Sequence, residues 1–149
     1  MTRVFWIFFL CTSSLHAQTT SKLSMLFTGD IMQHQVQIET AYNPKLGRYD
    51  YQPCFKFIKP ILSAADLTIG DLEVTLAGPP YTGYPIFSSP DELLATLKDS
   101  GFDVLVSANN HALDRGKKGL ERTIDQLDSA GMPHTGTFRT RLIGLTIIR

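Results

Sequence analysis

A parallel α/β sheet is the fold class this sequence predicts. Apolar stretches of strand length at 23–28, 67–69 and 103–107 alternate with segments of helical periodicity. Each stretch runs out into a polar cluster: Gly29-Asp30, then Gly70-Asp71-Leu72-Glu73, then Asn109-Asn110-His111. The resulting order (strand, helix, strand, helix, strand, helix) is that of a parallel sheet with right-handed crossovers.

Taken in order, Leu23 to Thr28 read as a buried strand ending in a turn at Gly29-Asp30. Ile31 to Ala41 can form a helix, and Asn43-Pro44 with Gly47 mark a loop. Pro53 suits the first turn of the next helix, in which Phe57, Ile58, Ile61 and Leu62 have helical spacing. Pro60 lies inside that run and should kink it. Leu67-Thr68-Ile69 give the second strand. Residues 77–90, with Gly78, Pro79, Pro80, Gly83, Pro85 and Pro90, form a loop longer than an ordinary connector. Ser88 or Ser89 can cap the helix that follows, with Pro90 and Asp91 in its first turn. Leu93, Leu94 and Leu97 are its buried stripe, and Ser100-Gly101 stop it. Asp103 to Ser107 are the third strand. Gly116 precedes a helix carrying Leu120, Ile124 and Leu127 at i, i+4, i+7, which Gly131 ends. Leu142 to Ile148 read as a last strand.

The 149 residues allow one domain at most. With 43% hydrophobic and 19% charged residues the chain is too apolar to be disordered. Basic and acidic residues balance at 14 each and no basic stripe is visible, which argues against nucleic acid as a partner. Arg3, the apolar run Val4 to Leu10 and the polar stretch ending at His16-Ala17 have the layout of a secretory signal peptide over 1–17. The competing reading is a membrane anchor, for which the run is short. A lipoprotein would be acylated at Cys11, but Leu10 before it is too bulky for that cleavage. Residues 18–22 are then a polar leader and 23–149 the domain. One cysteine, Cys54, remains after cleavage, so no intramolecular disulfide can form. Its neighbours Phe55, Phe57 and Ile58 predict a buried apolar thiol.

In a parallel sheet all strand C-termini lie on one edge, and ligands bind beyond it. That brings Asp30, Asp71, Glu73, Asn110 and His111 to one rim. Carboxylates crowded there resist ionisation unless a cation sits among them. The prediction is a metal site of carboxylate, amide and imidazole atoms. Two divalent ions about 3.5–4 Å apart could clamp the attacking and leaving oxygens of a phosphoester. His111 could instead protonate a leaving oxygen. Each residue also has a plainer reading. Asp30 could cap a helix, Asp71 could serve a turn, and Glu73 could be a solvated acid. Asn110 could occupy a left-handed turn and His111 could cap a helix.

Several segments resemble one family. Gly29-Asp30-Ile31-Met32 is similar to the opening motif of the CapA family of capsule-synthesis (poly-gamma-glutamate biosynthesis) proteins, relatives of the calcineurin-like metallophosphatases. Ala65-Asp66-Leu67-Thr68-Ile69-Gly70-Asp71-Leu72-Glu73 resembles its second motif, and Ala108-Asn109-Asn110-His111 with Asp114 and Gly116 its third. Tyr84-Pro85, Phe87-Ser88-Ser89-Pro90 and Gly131 to Gly136 also look like family segments, so the resemblance runs from Leu23 to Arg139. It implies the parallel-sheet part of a four-layer calcineurin-like sandwich. It also implies a role in capsule or polyglutamate production in the periplasm or at the cell surface. A metal-dependent phosphoesterase or other hydrolase activity would go with it, on two divalent ions (manganese, iron or zinc). The substrate would be an anionic polymer or phosphoester and the partner the capsule assembly machinery; peripheral membrane association is compatible with this. By position, Asp30, Asp71 and Asn110 correspond to metal ligands, Glu73 to the family glutamate and His111 to the catalytic neighbour.

The sequence departs from the pattern in places. Phosphatases carry a histidine where Met32 stands, and His34 is four residues beyond Asp30. Asp71 stands where many CapA relatives have asparagine. The phosphatase pattern takes further histidines from a C-terminal half, and after Phe138-Arg139 the resemblance stops. The expectation is therefore a truncated or frameshifted product, with a naturally short variant as the alternative. An incomplete sandwich would expose an apolar face and a sheet edge, giving poor solubility or dependence on a partner, and its half-built site would hold ions weakly. Two other functional readings stand beside the enzyme. One is a non-enzymatic surface module binding polymer or export machinery through Tyr81, Tyr84 and Phe87. The other is an inactive fragment.

Overall fold

The structure is a computed structural model and describes residues 20–139. The signal peptide expected over 1–17 and the strand expected at 142–148 lie outside the described residues. In chain order the elements are β1 (Met25–Asp30), α1 (Gln35–Ala41), β2 (Tyr42–Asn43), β3 (Arg48–Tyr49), α2 (Gln52–Phe55), α3 (Lys59–Leu62), β4 (Leu67–Asp71), α4 (Glu92–Asp99), β5 (Val104–Val106), α5 (Gly116–Ser129) and β6 (His134–Thr135).

Four strands form one parallel sheet in the order β1-β4-β5-β6. The fold class is the mixed α/β arrangement expected of part of a calcineurin-like domain. Met25, Leu26 and Phe27 pair with Leu67, Thr68 and Ile69, and Asp30 then pairs with Asp71. Between Phe27 and Asp30, β1 therefore spends one residue more than β4, a bulge. β1 is not the buried strand its composition predicts. It lies at the sheet edge, with Phe27 about two-thirds exposed (68%), as is Leu23 just before the strand (69%).

Local chemistry explains the other departures. The first helix starts at Gln35 rather than Ile31, because Ile31 is still tied to the sheet. Its N–H donates to the Asp71 carbonyl (2.7 Å) and its own carbonyl accepts from Glu73 N (3.2 Å). Gln37 Oε1 then accepts from His34 N (2.6 Å) and closes the helix start. The expected loop after it is a small hairpin, β2-β3. Asn43 Oδ1 accepts from Lys45 N (3.0 Å) there, and Gly47 supplies the positive φ of 63°. The helix expected to kink at Pro60 is two one-turn helices, α2 and α3, each with a proline in its first turn. Of the stripe predicted for that helix only Leu62 is buried; Phe57, Ile58 and Ile61 are exposed. Cys54 is exposed rather than buried. Phe55 takes the inward position of α2 and packs edge-on against Phe102 at 6.5 Å.

In α4, Leu93, Leu94 and Leu97 are buried as predicted, and the helix stops at Ser100-Gly101. Neither serine caps it. Ser89 Oγ accepts from Gln33 Nε2 (2.6 Å), Ser88 Oγ donates to the Gly78 carbonyl (2.7 Å), and Asp91 holds the cap position. Helix α5 buries Ile124 and Leu127, with Leu120 half-buried. β6 pairs His134 with Leu105 and Thr135 with Val106. The core joins Leu62, Leu72, Leu76, Phe87, Leu97, Leu105, Leu127 and Met132. Burying each such side chain is worth about 1.5–3 kcal/mol. Among the described residues no helix is long and apolar enough to cross a membrane.

Candidate metal centre

The centre forms where β1 and β4 end side by side. The pairing of Asp30 with Asp71 puts two carboxylates on neighbouring strands. Backbone bonding continues past Asp71: Leu72 N donates to the Val106 carbonyl (2.7 Å) and Glu73 N to that of Ile31 (3.2 Å). Glu73, two residues beyond Asp71, thus returns to the same face. One carboxylate oxygen from each of Asp30, Asp71 and Glu73 lies within 4.8 Å of the others. Gly70 sits directly before them for a steric reason. A Cβ there would stand 2.6 Å from Phe102 Cε1 and 2.7 Å from Ile31 Cδ1.

The three acids differ in solvation. Asp30 is exposed, Asp71 half-buried and Glu73 buried at 6% exposure. Burial pushes the Glu73 carboxyl above its ordinary range. A hydrogen bond with Asp30 and the charges of Asp30 and Asp71 push the same way, while His111 opposes them. Glu73 Oε2 is buried with no hydrogen-bond partner. Such an orphan costs about 1–3 kcal/mol. Three converging acids, one with an unused buried oxygen, fit the oxygen-ligand chemistry of a divalent cation.

The third strand end closes the site through Asn109. Its Nδ2 donates to Asp71 Oδ1 (2.9 Å) and to the Leu72 carbonyl (3.0 Å), and its Oδ1 accepts from His111 N (3.1 Å). Asn110, the residue singled out from sequence, is exposed at the next position. The His111 side chain is only 13% exposed. Its Nδ1 lies 2.9 Å from Asp114 Oδ2, and its Nε2 lies 3.9 Å from Glu73 Oε1. Asp114 Oδ2 also accepts from Phe87 N (2.7 Å), and the Phe87 ring meets the imidazole edge-on at 4.6 Å. With a carboxylate accepting at Nδ1, that nitrogen holds the proton and Nε2 faces the acids.

Several plainer readings are thereby excluded. Asp30 ends a strand and caps nothing, since α1 is capped by His34. Glu73 is buried rather than solvated. No non-glycine residue among those described has a positive φ, so Asn110 is not left-handed. His111 lies upstream of the α5 cap, Arg115. His34 stands outside the acid group, against Tyr84 at 6.0 Å. Asn109 and Asp114 were named within the third motif, but their contacts with Asp71 and His111 were not foreseen from the sequence. The signal for Asp114 was its i+3 spacing from His111.

The family profile described as bacterial capsule synthesis protein PGA_cap matches residues 24–142. The capsule biosynthesis protein CapA of Bacillus anthracis is 30% identical over 123 residues, which cover 77% of this chain and 28% of that protein. The PGA biosynthesis protein CapA of Bacillus subtilis (strain 168) is 28% identical over 134 residues, covering 84% and 33%. The uncharacterized protein y4sH of Sinorhizobium fredii is 34% identical over 99 residues, covering 61% and 22%. The chain thus spans between about a fifth and a third of the length of these relatives.

Proposed function

This chain belongs to the bacterial capsule synthesis protein family, and from that premise we propose that it carries part of a metal-dependent phosphoesterase-type centre working outside the cytoplasm. The observation that carries the reading is the meeting of Asp30, Asp71 and Glu73 within 4.8 Å, with His111 Nε2 beside Glu73. Asp30, Asp71 and Glu73 would hold the cation, and Asn110 is the further ligand its position in the family motif suggests. A bound divalent ion supplies charge neutralisation and Lewis acidity toward a phosphoester oxygen. His111, held at Nδ1 by Asp114, offers Nε2 for proton exchange with a leaving oxygen. Asn109 keeps Asp71 oriented by donating to Oδ1.

The relatives' names point to capsule or polyglutamate assembly as the setting. The apolar leader at 4–10 supports export. The test is hydrolysis of a generic phosphodiester with manganese or zinc, by the mature chain and by a full-length relative. Asp30→Ala and His111→Ala should each lower the rate at least about 100-fold. Unchanged rates in both variants would remove the catalytic reading.

A second reading, a polymer-binding surface module, is favoured by one observation. Tyr84 and Ile86 are exposed on a cleft that Arg115 also lines. Phe87 is fully buried and takes no part in that surface. Binding of an anionic polymer that survives chelation would favour this reading over the first.

A further inference from the structure

We propose that the cleft between the start of the 77–90 loop and the first two turns of α5 binds an oxyanion group, a carboxylate or a phosphate. Its volume is about 300 Å³, at the small end of the range for small-molecule sites. The lining joins three small residues, Ala77, Gly78 and Gly119, to three cations, Arg115, Lys118 and Arg122. No acidic side chain and no residue of the metal centre lines it, so the site does not depend on the phosphoesterase reading.

Spacing brings the cations together. Arg115, Lys118 and Arg122 stand at i, i+3 and i+7 and so share one face at the start of α5. Gly119 leaves room for Arg115 there, since a Cβ on it would stand 2.4 Å from the Arg115 Cβ. Arg122 is neutralised: its Nη1 and Nη2 each donate to Asp91 at 2.8 Å. The other two cations are not. Arg115 Nη2 donates to neutral acceptors, the Pro80 carbonyl (2.5 Å) and Thr82 Oγ1 (3.2 Å). Glu121, on the next turn, pairs with Lys117 (3.6 Å) and not with Lys118. Among the described residues neither Arg115 nor Lys118 is paired with a carboxylate.

Two uncompensated like charges on one helix face repel each other. An oxyanion between them removes that repulsion and accepts charge-assisted hydrogen bonds from both. A neutral polar ligand would leave the charges uncompensated, and an apolar one would strip them of water.

The experiment titrates the full chain, with chelator present and ionic strength held constant, with inorganic phosphate and separately with succinate. Backbone amide resonances of Ala77, Gly78, Lys118 and Gly119 are followed by NMR. At least one anion should shift them saturably, and the tighter of the two identifies the group. Lys118→Glu, at an exposed position, should weaken binding at least about tenfold. Lys117→Glu makes the same change in net charge one position away, outside the lining, and should weaken it by less than about twofold. Binding should survive Asp71→Asn, which disables the metal centre. The proposal is overturned by the absence of saturable shifts with both anions or by equal weakening in Lys117→Glu and Lys118→Glu, which would reduce the effect to net charge. Loss of binding in Asp71→Asn would likewise overturn it, by moving the anion to the metal centre.

Discussion

Glu73 shows how one residue can be both a defect and a ligand. Burial beside two other acids holds its carboxyl above the ordinary range near about 4.3. The folded chain then binds this proton more readily than the unfolded chain. Its contribution to stability is full below the ordinary glutamate range and is lost as pH rises through the raised folded value. Glu73→Gln should therefore stabilise the metal-free protein at pH 7, by about 1 kcal/mol, and remove the loss of stability that accompanies Glu73 ionisation as pH rises. With manganese or zinc present the ranking should reverse, because the variant lacks a charged ligand. Thermal melts from pH 4 to 8, with chelator and with metal, check both halves. Identical melts of the two proteins under all conditions would contradict the assignment. The acids were legible in the sequence because each follows an apolar strand. Which of two adjacent asparagines turns toward Asp71 was not legible. That choice depends on backbone direction within the turn after β5, and Asn109 makes the contact.

At the scale of elements, β4 is the piece that cannot be altered quietly. Phe102 and Ile31 lie across Gly70 so closely that a methyl group would overlap both. Gly70→Ala should destabilise by about 1–3 kcal/mol and loosen the metal centre through Ile31. Chemical denaturation measures the first effect and metal titration the second; a neutral Gly70→Ala would mean the two side chains can move aside. The two long helices were readable because their periodicity is strong over enough residues, and the central strands because each is an apolar run that ends in a polar cluster. The hairpin β2-β3 and strand β6 were not. Each of their strands has two residues, too few for a period, and tertiary pairing alone defines them. The start of α1 was misjudged for a related reason. Ile31 suits a helix, but its backbone is bonded to Asp71 and Glu73.

For the whole molecule, the exposed apolar surface matters most. Phe27 is 68% exposed on edge strand β1, and Phe57 is 84% exposed with Ile61 near it in sequence. Outside β4, β1 has no further partner among the described residues. Exposed apolar side chains and a free edge favour association. Combined replacement Phe27→Thr, Phe57→Ser and Ile61→Gln should raise the soluble concentration several-fold and move stability by no more than about 0.5 kcal/mol per site. Light scattering and melting curves of the two proteins make the check, and unchanged aggregation would shift attention elsewhere on the surface. The family assignment was readable at this scale because its motifs are short, ordered and spread along the chain. How much apolar surface stays uncovered was legible only in part, since helical spacing at 57–62 reads the same whether a stripe faces a core or solvent.

The bulge in β1 has a practical consequence for comparing and redesigning such chains. Counting alternate residues onward from Phe27 turns Asp30 away from Asp71, since an even pleat would set Gly29 there instead. Threading this strand by hydropathy phase alone will thus misplace its acid by one position. A redesign that drops one residue between the two restores an even pleat with the acid still opposite its neighbour. Adding one throws it to the far side. Length changes at this spot are tolerated in one direction only.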